Sequence, residues 1–241
     1  MLDLTDVPAS MNELYLWAFD KEENLVLRDT ISAIYFGEMY ELEIKRAVVD
    51  YYLWGNVGNA TKVINEDDVN AQLSVIQNNY ADSLYSYSNE LDASGEFAID
   101  TVSMYKEFAN VEVIIKNSQD NISLEFLGNS CGYYVNSTIL QGGYSVTCSD
   151  FIRDIYNNYL YLFRVTRQQE LEKVELALYK GSGNGKMLLN RFPIGKWLIG
   201  QGYNMFEQNM PDISIEIDYS NNNVTISTTD WSFTKPSDVE I

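Results

Sequence analysis

The sequence predicts an all-β protein made of two β-sandwich domains of transthyretin-like type, with one or two short helices. Three observations predict it. Segments with apolar residues at every second position recur along the chain, which is strand periodicity. Clusters of Asn, Asp, Ser and Gly punctuate them, as hairpin turns require. The chain has 241 residues, 46% of them hydrophobic, enough to bury the cores of two sandwiches.

The elements follow in order. Leu14, Leu16 and Ala18 alternate with Tyr15, Trp17 and Phe19. Both faces of that strand are apolar, so it belongs at the centre of a sheet. Asp20 to Asn24 turns the chain into a second strand, Leu25 to Thr30. Tyr40, Leu42, Ile44 and Arg46 alternate with Glu41, Glu43 and Lys45, which predicts a half-exposed strand. A further strand runs from Val48 into Trp54, Gly55 and Asn56.

Asn65 fits a helix N-cap, and Glu66, Asp67 and Asp68 suit the positive end of a helix dipole. Val69, Leu73 and Ile76 share one helical face, so the spacing predicts a helix over Glu66 to Gln77. Residues 79–100, rich in Ser, Asn, Tyr and Asp, read as a long connection. The domain boundary is accordingly placed near residue 101, giving an N-terminal domain of 1–100 and a C-terminal domain of 101–241.

In the second domain Val111, Val113 and Ile115 mark one strand, and Ile122, Leu124 and Phe126 the next. Tyr159, Tyr161, Phe163 and Val165 mark another, then Val174, Leu176 and Leu178. Pro193 presets the first turn of a short helix, which Gly200 or Gly202 ends. Ile213, Ile215 and Ile217 alternate with Ser214, Glu216 and Asp218. Ser220 to Asn223 turns that strand into an antiparallel return beginning with Val224, Ile226 and Thr228. Trp231 and Phe233 sit on the opposite parity, and a bulge near Thr229 and Asp230 would return them to the core face.

Composition excludes several chemistries. The chain has no histidine, which removes Ser-His and Cys-His triads and the commonest zinc ligand. Its 35 acidic residues offer many carboxylate pairs, but no spacing singles one out. No catalysis, cofactor or metal is expected. Gly181 to Lys186 fails the phosphate-loop pattern, because Lys180 and Met187 stand where Gly and Ser or Thr are needed. A hairpin loop is the better reading there. The net charge of −19, with no basic stripe, excludes nucleic acid as a partner. Cys131 and Cys148 can form a disulfide or remain two buried thiols, and spacing does not choose between them.

The order of elements after Met187 resembles the fimbrillin-associated anchor family, the FimB-type minor subunits of Bacteroidales fimbriae. Phe192, Pro193, Ile194, Ile213, Ile215, Ile217, Val224, Ile226 and Trp231 carry the resemblance. It implies a non-enzymatic anchor or minor subunit that attaches and terminates a fimbria at the outer membrane. A surface adhesin or glycan-binding module on the same sandwiches is the alternative. The resemblance also implies an N-terminal lipid, yet the first cysteine is Cys131, so this chain is read as trimmed. Partners are expected to be other fimbrial subunits, joined by strand addition. Thr228 to Ile241 is the end that can act as donor, with Trp231 and Phe233 as the subunit contact. The competing reading packs both aromatics into their own domain.

Overall fold

The computed structural model describes residues 1–8, 10–95, 97–117, 122–154, 156, 158–181, 183–218, 225–227 and 239–240. Strands dominate, and among the described residues Ile194–Gly200 is the one α-helix. The all-β class is therefore as expected. The chain forms two compact units from interleaved segments. The first comprises Met1–Ile76, Asp82–Glu107 and Gly132–Leu140, and the second Gln77–Ala81, Phe108–Cys131 and Gln141–Ile241.

The first unit is organised on a five-stranded sheet. Its order is Tyr105–Lys106, Tyr85–Asp92, Val48–Gly55, Glu13–Phe19 and Leu25–Ser32. Glu13–Phe19 pairs on both edges, and a core cluster packs on each of its faces, which is why both faces are apolar. On one face Leu14, Leu16, Ala18, Val49, Tyr51 and Leu53 meet Leu2 and Leu4 in a buried cluster. On the other, Trp17, Phe19 and Trp54 pack with Leu73, Tyr133 and Val135. Buried indole donors need acceptors. Trp54 Nε1 donates to the Val135 carbonyl at 2.7 Å, and Trp17 Nε1 to the Glu66 carbonyl at 2.8 Å.

Two expectations for this unit are corrected. Residues 66–77 are not a helix. Asn65 sits at φ 56°, tight turns run through Asp68 to Ala71, and Gln72–Val75 is a strand. Leu73 and Val75 bury at a period of two, a fit that one helical face lacks. The polar stretch 79–100 is not a connection throughout, because Tyr85–Asp92 pairs along the whole of Val48–Gly55. Buried Ser86 donates to Glu107 Oε1 at 2.7 Å, so a polar side chain is accommodated there without loss.

In the second unit, Phe108–Lys116 lies antiparallel to Tyr159–Thr166 and parallel to Ile213–Asp218. Ile213–Asp218 then pairs with Thr225–Ser227, so the return strand is present, while its turn lies outside the described residues. Ile122–Tyr134 pairs with Glu175–Lys180, which pairs in turn with Met187–Phe192. The Gly181 to Lys186 segment links those last two strands, as a hairpin loop should. The short helix after Pro193 also forms, and Gly202, at φ 81°, follows its end. Between its two paired stretches, the long Ile122–Tyr134 strand is held by a side chain. The fully buried Gln168 amide accepts from Asn129 N at 2.6 Å and Ser130 N at 3.0 Å, and donates to Ser130 O at 3.2 Å.

Candidate strand-docking site

A small sheet in the first unit has the order Met39–Tyr40, Leu2–Asp3, Asp100–Thr101. The middle strand is antiparallel to the first neighbour, with Leu2 opposite Tyr40. It is parallel to the second, with Leu2 opposite Asp100. The ladder reaches Met1, whose amino group donates to the Ala98 carbonyl at 2.7 Å. A cavity of about 540 Å³ lies beside Met1, lined on one side by Glu41 to Ile44 and Arg46 and on the other by Leu91, Ala93, Gly95, Phe97 and Ala98.

The sequence predicts residues 40–46 as a strand, and here only Met39–Tyr40 is one. The ladder with Leu2–Asp3 covers Met39–Tyr40 alone, and among the described residues no strand pairing is formed by 41–46. Strand periodicity nonetheless survives in the burial. Leu42 and Ile44 are half-buried against the core cluster, while Glu41, Glu43 and Lys45 are exposed. The other flank matches, with Ala98 packed on that core and Phe97 and Ile99 exposed.

The cavity is a tapered slot. At the Met1 end its flanks stand two strand spacings apart, about 9.5 Å. At the other end Ala93 N donates directly to Ala47 O at 2.9 Å. The floor of the slot is apolar, formed by Leu42, Ile44, Leu91 and Ala98.

Asp100 anchors one wall. Its Oδ2 accepts from Tyr51, from Tyr87 at 3.0 Å and from Asn89 at 2.8 Å. Burial alone would push the Asp100 carboxyl up. The hydrogen bonds from Tyr51, Asn89, Tyr87 and the Thr101 backbone outweigh it and hold the group below the usual carboxylate range. Tyr51 is pushed the other way, by burial first and by Asp100 second. On the opposite wall Tyr40 donates to Asp29 Oδ2 at 2.8 Å, a bond that with burial pushes its phenol up to about 12.

The residues singled out from sequence lie elsewhere. Cys131 and Cys148 are not bridged to one another, so the disulfide alternative is corrected. Cys131 Sγ sits beside Gly142, 2.7 Å from where a Cβ there would stand. Cys148 is six residues further along the same strand, about 20 Å at 3.3 Å per residue, whereas a bridge needs Cα atoms within about 7 Å. Cys148 instead accepts from the Tyr80 hydroxyl at 3.1 Å. Trp231 and Phe233 lie outside the described residues. Trp17 and Trp54 are buried, so they build core and no glycan platform. Sequence reasoning missed the slot because alternation at 40–46 reports a strand-like face and says nothing of the facing flank.

Comparison with known proteins gives the class first: the fold is shared by fimbrial and adhesin-type surface proteins. The fimbrial anchor protein Mfa2 from Porphyromonas gingivalis matches with a TM-score of 0.72 at 15% identity, over 94% of this chain and 91% of that one. A candidate polysaccharide-binding protein from Bacteroides thetaiotaomicron matches at 0.73 and 10% identity, over 93% and 92%. A candidate adhesin from Bacteroides ovatus matches at 0.71 and 10% identity, over 99% and 92%. No curated protein matches the chain by sequence. The chain belongs to the family of fimbrillin-A associated anchor proteins Mfa1 and Mfa2, whose model matches residues 7–234.

Proposed function

We propose that the protein is a non-enzymatic fimbrial anchor or minor subunit that joins other fimbrial subunits by strand addition. One observation carries this reading: the model of the fimbrillin-A associated anchor family matches residues 7–234. In strand addition main-chain hydrogen bonds supply affinity, and alternate side chains filling pockets supply specificity. An open pair of strand edges is otherwise an aggregation hazard, which assembly removes. Membership of the anchor family supports a place in a fimbria, and attachment at the fimbrial base to the outer membrane through an N-terminal lipid is part of the proposal. The protein's own donating end is Thr228 to Ile241, with Trp231 and Phe233 as the contact.

Replacing Trp231 and Phe233 with Ser, in a protein co-expressed with a fibre-forming subunit, tests the reading. Loss of co-purification with an unchanged monomer melting temperature supports it. Retained co-purification overturns it. A fall in the monomer's melting temperature would return both aromatics to their own core.

A further inference from the structure

We propose that the hairpin of Glu175–Lys180 and Met187–Phe192 rests on an anionic lipid surface, its lysines on lipid phosphates and its exposed apolar residues among the headgroups. This rests on the anchor reading above for its setting beside a membrane, and it uses neither the N-terminal lipid nor the strand contact. The register of the hairpin fixes the geometry. Lys180 lies opposite Met187 and Tyr179 opposite Leu188, so all four stand at the turn end. Lys186 joins them, its Nζ 4.0 Å from the centre of the Tyr179 ring and 3.2 Å from Glu125 Oε2. That end stands clear of its surroundings, since a Cβ added at Gly181, Gly183 or Gly185 would meet nothing within 4 Å.

Three consecutive apolar residues are exposed there, Met187 at 57%, Leu188 at 49% and Leu189 at 37%. A regular strand lying on a core would hide every second one. The register shift opposite Leu178 and Tyr179 adds a residue to this strand and breaks the alternation. Contiguous exposed apolar side chains mark a contact with a protein or with a membrane. Two features favour the membrane. Met187–Phe192 ends its sheet, but a bulge and flanking cations are what keep such an edge from taking another strand. The second feature is charge. Five of the chain's 16 Lys and Arg fall between Lys173 and Lys196, with Glu175 the one acidic residue among them, in a chain of net charge −19. Arg191 pairs with Glu175 at 3.0 Å, while Lys180 and Lys196 are exposed. At physiological salt a charge is felt over about 8 Å, so the sign of the approaching face outweighs that of the whole molecule. An anionic interface binds aliphatic side chains beside lysines, the first entering the headgroup boundary and the second pairing with phosphate.

The test is flotation of the purified full chain with vesicles of phosphatidylcholine, alone or mixed with phosphatidylglycerol. Binding is expected on the anionic vesicles, weaker on the neutral ones, and falling as salt is raised from about 0.1 M to about 0.5 M. Lys180→Gln should weaken it about fivefold. Met187→Ser combined with Leu188→Ser should abolish it at an unchanged melting temperature. Ile34→Ser, which removes a 76% exposed side chain from the first unit, should leave it unchanged. Amide hydrogen exchange on the vesicles should slow at Met187 to Leu189. Binding that is absent, equal on neutral vesicles or retained by the double variant overturns the proposal. The anchor reading then still stands, because co-purification with the fibre-forming subunit tests it separately. Loss of that co-purification in the double variant, with vesicle binding unchanged, makes this edge a subunit contact and also overturns the proposal.

Discussion

Tyr87 donates its hydroxyl to Asp100 Oδ2 at 3.0 Å, on the oxygen that also receives Tyr51 and Asn89. One carboxylate oxygen therefore ties the wall of the slot to two neighbouring strands of the five-stranded sheet. Its folded-state pKa is depressed, so the stabilisation it gives is present above the unfolded value of about 3.9 and is lost as pH falls through the lower folded value. Asp100→Asn should lower stability near neutral pH by about 2 kcal/mol. Below pH 4 the gap between variant and parent should close. Urea denaturation at a series of pH values checks both the size and the sign.

Gly132 lies opposite Ser74, and a Cβ at Gly132 would stand 2.0 Å from the Leu73 carbonyl oxygen. Its φ of 149° is itself unfavourable for any side chain. Gly132→Ala should cost about 3 kcal/mol, combining backbone strain with overpacking. Tyr133 and Val135 flank that contact, so loss of Trp54 fluorescence shift should accompany the fall in melting temperature.

Gln168 acts as a stand-in for a neighbouring strand, bonding Asn129 and Ser130 through its amide. Gln168→Leu conserves much of the volume but leaves those main-chain groups without the partner they have now. The expected loss is about 2–3 kcal/mol, read from thermal or chemical denaturation. Gln168→Glu should cost at least as much, because a fully buried carboxylate would face the Ser130 and Thr166 carbonyl oxygens to which the amide now donates.

The two thiols should react in a fixed order. Cys148 is 1% exposed, and burial pushes its thiol up, further from the reactive thiolate. Cys131 is only half-buried. Under native conditions iodoacetamide should modify Cys131 first and Cys148 only after denaturant is added. Peptide mass spectrometry distinguishes this from a bridge, in which neither would react.

Much of this architecture is legible in the sequence where one residue type has one reason to be present. The apolar faces of Leu14 to Phe19 required a central strand, and Pro193 ahead of Ile194 required a helix start. Misreadings arose where local spacing served two structures. Val69, Leu73 and Ile76 satisfy a helical face by coincidence, while Leu73 and Val75 are what the fold buries. Tyr85 to Asp92 has too little apolar content to signal a strand, since its place comes from pairing along Val48–Gly55. The slot belongs to the same class. Its walls are written in residues 40–46 and 97–99, but nothing in their spacing says how far apart the fold sets them.

The interleaving of the two units has a consequence for biosynthesis. Tyr133 and Val135 complete the core around Trp17 and Trp54, and Trp54 gives its indole hydrogen to Val135. A nascent chain ending near Glu107 has therefore made nearly all of the first unit without being able to close it. Chains grow at about 5–20 residues per second, so that half-built core waits several seconds for residues 132–140 to emerge. During that interval two tryptophans and Leu73 are exposed, and a chaperone that binds extended apolar segments would find its target there.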